Sequence, residues 1–194
     1  KGTTYGGGGG YGGFGGGGSN PLYGQTNGVA YAPFGPGSGG GAGQNVNYPA
    51  SSGGGAIRIR AKRGVVVNGS LLANGTGRTT HYAGGASGGG IFIICKSFEG
   101  SGVLSANGDP SGSSNLSGGG GGGRVAVWLN VPELLWPRYL AGNLGQATLS
   151  ETPPSTFTGT ATAGIGQYSK APMPTIGTVV FLTPPPMASL MLVR

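Results

Sequence analysis

The chain has 194 residues, of which 48 are glycine and 14 proline, and its 11 basic and 4 acidic side chains leave a net charge of +7. No strict Gly-X-Y period runs through it, which excludes collagen. Disordered chains combine low hydrophobicity with high charge; here 36% of residues are hydrophobic and 8% charged, so the chain must pack or assemble. The cations are scattered apart from Arg58, Arg60, Lys62 and Arg63. So thin a patch argues against nucleic acid as a partner. One cysteine, Cys95, allows no internal disulfide. No apolar run reaches the length of a membrane-spanning segment. The opening KGTTYGGGGG lacks the signal-peptide pattern, so secretion would make this chain a processed piece.

Residues 1–52 are dominated by glycine, punctuated by Tyr5, Tyr11, Phe14, Tyr23, Tyr31 and Phe34. Each glycine disfavours helix by roughly 0.5–1 kcal/mol relative to alanine. A flexible linker and a close-packed set of extended, polyproline-II-like chains are the two readings. The aromatic spacing favours packing, because it gives the segment something to bury.

The middle of the chain repeats. Gly55-Ala56-Ile57-Arg58-Ile59 aligns with Gly89-Gly90-Ile91-Phe92-Ile93, 34 residues later, and the next step of 34 reaches Val125. A second motif recurs 33 residues apart, as Gly69-Ser70-Leu71-Leu72-Ala73-Asn74-Gly75 and Gly102-Val103-Leu104-Ser105-Ala106-Asn107-Gly108. A period near 34 also occurs in helical arrays, but β-branched residues and Asn-Gly turns at Asn68, Asn74 and Asn107 exclude helices here. The alternation from Ile57 to Arg60 predicts one apolar and one polar face. The run Ile91–Ile94 has no polar face, so that strand should be covered on both sides.

These features predict an all-β fold. It is a right-handed parallel β-solenoid, or β-helix, over 53–183, with the 1–52 segment packed on it or continuing it. A Pro/Trp insertion near 131–139 interrupts the pattern, and a Thr/Ser stretch follows. The strand Gly177–Thr183 closes the domain. The tail 184–194 starts with three prolines and carries Met187, Leu190, Met191, Leu192 and Val193, an apolar stretch that reads as a strand donor to another copy.

Chemistry-bearing groups are scarce. The acids Glu99, Asp109, Glu133 and Glu151 form no pair close in sequence, and His81 is the single histidine. Glycosidase chemistry needs two facing carboxylates. A Cys95–His81 dyad is conceivable, but Cys95 takes the repeat position of Ala61 and reads as a buried small hydrophobe. No His, Cys or acid cluster has metal-ligand spacing. Gly35–Gly40 fits G-x-G-x-x-G without the βαβ context that a nucleotide site requires. The expectation is a chain that is not an enzyme, with no catalytic residue, cofactor or metal. Asn68, Asn74 and Asn115 each open an N-glycosylation sequon.

The order of segments resembles the glycine-rich parallel β-helix repeat domain of large secreted bacterial surface proteins. The residues that carry the likeness are Tyr23-Gly24, Gly37-Ser38-Gly39-Gly40-Gly41, Gly55-Ala56-Ile57-Arg58-Ile59, Gly102–Gly108, Gly123-Arg124-Val125-Ala126 and Gly177-Thr178-Val179-Val180-Phe181-Leu182. The segment at 131–139 and the apolar tail depart from that pattern. The resemblance implies a surface or structural role and supplies no catalytic residues. The expected function is a structural subunit of an extracellular filament, sheath or surface layer, a polymer of itself at the cell surface. The alternative is an adhesive or carbohydrate-binding module of a surface protein or phage fibre, with surface glycans as partners.

Overall fold

The computed structural model describes residues 5–19, 22–43, 50–77, 82–110, 116–166 and 172–186. Among these residues, ten strands fall into three sheets. Strands β1 (Ala56–Arg60), β4 (Gly90–Cys95), β7 (Arg124–Leu129), β10 (Thr178–Thr183) and β8 (Thr148–Ser150) make the largest, in the order β1-β4-β7-β10-β8. Strands β2 (Gly64–Val66) and β5 (Ser97–Glu99) make a second sheet. The third is β3 (Ser70–Leu72), β6 (Val103–Ser105) and β9 (Thr160–Thr162). Ile57 pairs with Ile91 and Ile91 with Val125, so strands with the 34-residue spacing are parallel neighbours in register.

The three sheets enclose one apolar core. Ile91, Ile93, Cys95, Val125, Val127 and Phe181 of the largest sheet meet Phe98, Leu104, Ala106 and Phe157. Cys95 lies in this core, where burial pushes its thiol pKa up to about 11. A second cluster covers the outer face of the same sheet: Phe92, Ala126, Trp128 and Leu182 pack under Ala32, Val131 and Tyr139. The Trp128 indole donates to the Tyr31 carbonyl at 2.7 Å, and Tyr139 stands edge-on to it at 5.8 Å. Both faces of β4, and of β7 beyond Arg124, are thus apolar and covered.

The expected β-solenoid is not what forms, and three findings correct it. The sheets hold five, two and three strands, so successive layers do not repeat one coil. The largest sheet is mixed, because β8 joins β10 antiparallel. After β7 the chain leaves the stack, forming a 3-10 turn at Glu133–Leu135 and helix α1 (Trp136–Leu140). The physical cause is the Pro132–Pro137 segment. Proline cannot donate to a sheet ladder but is tolerated in the first turn of a helix. Gly142, at φ 90°, then ends the helix in the left-handed conformation. The second sheet thus stops at two strands.

The glycine-rich N-terminal part packs as a bundle of extended chains. Residues 6–9 exchange backbone hydrogen bonds with Tyr82, Gly16, Gly24, Gly41, Gly85, Gly118 and Gly121. A β-strand has only two hydrogen-bonding neighbours, whereas a three-residue turn points its peptide groups in three directions. Contact with this many segments is more than one strand of a regular sheet makes. It needs glycine for space. A Cβ on Gly120 would sit 1.8 Å from the Ala86 carbonyl oxygen, and one on Gly8 would sit 1.9 Å from that of Gly119.

The bundle joins the sheets through a recurring tie. The amides of Gly89, Gly123 and Gly177, each just before a strand of the largest sheet, donate to the carbonyls of Ala73, Ala106 and Ala163 just beyond the third sheet. Asparagines reinforce this corner. Asn74 Oδ1 accepts from the Asn107 amide at 2.7 Å, and Asn107 Oδ1 accepts from the Gly164 amide at 2.7 Å. Arg124, buried without a carboxylate, fixes the N-terminal segment to β7 by donating to the carbonyls of Asn27 and Tyr11 and to the Thr178 hydroxyl. Burial lowers its pKa, and Tyr11 partly offsets that effect.

Two glycine replacements separate space from sequence identity. Gly120→Ala drives a methyl group into a backbone carbonyl and should destabilise the fold by about 3 kcal/mol or more. Gly55→Ala meets nothing within 4 Å and should change stability by less than about 1 kcal/mol. Urea denaturation of both variants checks this; equal effects would refute the close-packing account.

Candidate functional site

At one end of the stack, β1, β2 and β3 are each the outer strand of their sheet. Among the described residues, each pairs on one side only, with β4, β5 and β6 respectively. Their inward residues Ile57, Ile59, Val65 and Leu71 pack against the core but stay only partly buried, because no further layer among the described residues covers them. Val66 and Leu72 point outward and are 62% and 58% exposed. Gly55 and Gly69 face open space. Unpaired edges of this kind template pairing with another chain.

The basic cluster foreseen from the sequence borders this end. The Arg58 guanidinium lies 4.3 Å from the centre of the Phe34 ring and donates to the Phe34 carbonyl. The Arg60 guanidinium lies 4.0 Å from the centre of a Trp136 ring and pairs with Glu133 at 3.0 Å. The indole is held in turn, since Trp136 Nε1 donates to the Val131 carbonyl at 3.0 Å. Beneath lies a cleft of about 530 Å³, lined by Arg60, Lys62, Lys96, Asn130, Glu133 and Trp136 among others. Lys62, Lys96 and Asn130 follow closely on the ends of β1, β4 and β7, where the Lys96 amide donates to the Arg63 carbonyl at 2.7 Å and the Asn130 amide to the Cys95 carbonyl at 2.8 Å.

The sequons fall in different settings. Asn68 is exposed, and its Oδ1 accepts from the Ser101 amide at 3.3 Å. Asn74 is half-buried, and its Oδ1 takes bonds from both the Ser105 hydroxyl and the Asn107 amide. Asn115 lies outside the described residues, as do His81 and the tail residues Met187, Leu190, Met191, Leu192 and Val193. Gly37 and Gly40 of the G-x-G-x-x-G match donate to the carbonyls of Gly54 and Ser51 within the glycine bundle. No group of three metal-ligating side chains occurs among the described residues. No helix there is long and apolar enough to cross a membrane.

Sequence reasoning missed Asp109. Its Oδ2 is buried without a hydrogen-bond partner among the described residues. Burial raises its pKa above the ordinary carboxylate value, against the opposing pull of the Gly77 backbone and the Ser51 side chain. No local motif marks it; only the fold brings residues 51, 77 and 109 together.

Compared with known proteins, the chain matches no family model, no curated protein and no solved structure.

A carboxyl group whose folded pKa is raised stabilises the fold in its protonated form. Its contribution is complete below the unfolded pKa near 3.9 and is lost as pH rises through the folded value. Asp109→Asn cannot ionise and should lack that loss. Thermal melts from pH 3 to pH 7 should show the variant gaining on the wild type as pH rises. Parallel curves would refute the assignment.

Proposed function

We propose that this chain is a non-catalytic structural subunit of an extracellular filament, sheath or surface layer, assembling through contacts between copies. The observation that carries the reading is the simultaneous exposure of three strand edges, β1, β2 and β3, at one end of a core that no layer among the described residues closes. The resemblance to repeats of secreted bacterial surface proteins supports it. So does a composition with few charges and much glycine, which suits a rigid body held by backbone contacts.

The energetics set the expected strength. Burying the exposed halves of Ile57, Ile59, Val65, Val66, Leu71 and Leu72 contributes on the order of 5 kcal/mol, at 1.5–3 kcal/mol per fully buried side chain. Backbone bonds along three short edges add about 0.5–1.5 kcal/mol each. Association costs an estimated 4–15 kcal/mol. The sums are comparable, so assembly should depend strongly on concentration.

Val66→Lys and Leu72→Lys together place two charges on the open edge at exposed, outward positions. Sedimentation velocity and electron microscopy should show the wild type growing into larger species with concentration and the double variant remaining a monomer, with circular dichroism unchanged. A wild type that stays monomeric throughout, or a variant that assembles equally well, would overturn the reading.

A further inference from the structure

The cleft under Trp136 has an unbalanced set of charges. Lys62 and Lys96 both line this cleft, on neighbouring chain segments joined by the bond from the Lys96 amide to the Arg63 carbonyl at 2.7 Å. Both are exposed. Two like charges at one cleft repel. The sequence holds four acidic side chains, all among the described residues, and the one ion pair found there joins Glu133 to Arg60. Lys62 and Lys96 thus line the cleft without an ion pair among the described residues.

We infer that this cleft binds an acidic oligosaccharide, a short sugar chain bearing carboxylate or sulfate groups. Lys62 and Lys96 hold the anionic group, and Asn130 offers amide donors and an acceptor to neighbouring hydroxyls. Trp136 and Val131 form the apolar wall. Glu133 pairs with Arg60 at 3.0 Å, and both line the cleft. That pair is about 60% exposed on both partners, and exposed pairs are worth little, about 0–1 kcal/mol. A ligand carboxylate or sulfate can therefore displace Glu133. Nucleic acid fits less well. Arg60 occupies one face of the indole, which removes a stacking platform for bases, and the lysine row is two strands long, too short to follow a phosphate backbone. The site lies within one copy and does not depend on assembly.

Isothermal titration of the full chain with tetragalacturonate and with a heparin tetrasaccharide tests the inference, with a neutral galactan tetrasaccharide, inorganic sulfate and oligothymidine as comparators. At least one acidic tetrasaccharide should bind one to one. Binding should weaken about tenfold in Lys62→Gln/Lys96→Gln, which loses two charge-assisted contacts. It should tighten in Glu133→Gln, where the competing carboxylate is gone. Circular dichroism confirms that the exposed substitutions leave the fold intact. No binding of either acidic saccharide, equal binding by the double lysine variant, sulfate held as tightly as the saccharides, or oligothymidine held more tightly would each overturn it. The assembly reading fails separately, in the sedimentation of Val66→Lys/Leu72→Lys.

Discussion

Backbone-to-backbone contact between glycines is the constraint on which the rest of the structure depends. In the bundle, carbonyl oxygens of one chain occupy the space that a Cβ would need on the next, at Gly6, Gly8, Gly118, Gly120 and Gly122. None of these residues has a positive φ, so glycine is required there for closeness and not for an unusual backbone. The gain is that polar groups of extended chains find partners inside the molecule although the chains form no regular sheet. Each run then enters a strand of the largest sheet already aligned: Gly54-Gly55 into β1, Gly89 into β4, Gly123 into β7, Gly177 into β10. The bundle thereby sets the register of the sheets, and the ties from Gly89, Gly123 and Gly177 to Ala73, Ala106 and Ala163 close each layer.

The apolar residues follow from this frame. The inner face of the largest sheet fills one core with Ile, Val and Cys. Its outer face would lie bare in water if the chain continued directly from β7 to the next layer. The departure at Val131 prevents that, because Tyr139 and the loop around Ala32 seal Phe92, Ala126 and Trp128. The same excursion removes the third strand of the second sheet and returns β8 in the reverse direction. Irregularity in the stack and coverage of its outer face are thus one event.

Much of this was legible in the residues. The 34-residue step from Ile57 to Ile91 to Val125 corresponds to a register in the structure, and the polarity of Ile91–Ile94 correctly implied cover on both faces. Of the N-terminal aromatics, Tyr11 is buried beside Gly28, Gly35 and Gly90, while Phe14 and Phe34 stay exposed. The solenoid expectation failed because a period in sequence reports which strands neighbour each other and not whether every layer is completed. The two prolines flanking Trp136 marked the interruption, but not that it would become helix and bring back an antiparallel strand. Arg124 and Asp109 were illegible, since their partners lie far away along the chain, at 11, 27 and 178 for the arginine and at 51 and 77 for the acid. The asparagine ladder was half visible. Asn74 and Asn107 recur at 33 residues, while Gly164 ends the series without a side chain.

The two ends of the stack differ, and that difference constrains the proposed assembly. One end exposes β1, β2 and β3, which share the polarity of the strands behind them. At the other, the third sheet ends in a parallel strand, β9, while the largest ends in the reversed strand β8. Joining two copies by their β1 ends would be isologous and would bring Arg58, Arg60, Lys62 and Arg63 towards the same four cations. Joining unlike ends avoids that repulsion and continues the third sheet through β9, but it meets β8 in the wrong direction for the largest sheet. A contact between unlike ends does not close on itself and propagates as a filament. In the proposed assembly a head-to-tail joint would therefore run through the third sheet and not the largest, with Leu72 exposed on β3 and Thr160 and Thr162 on β9.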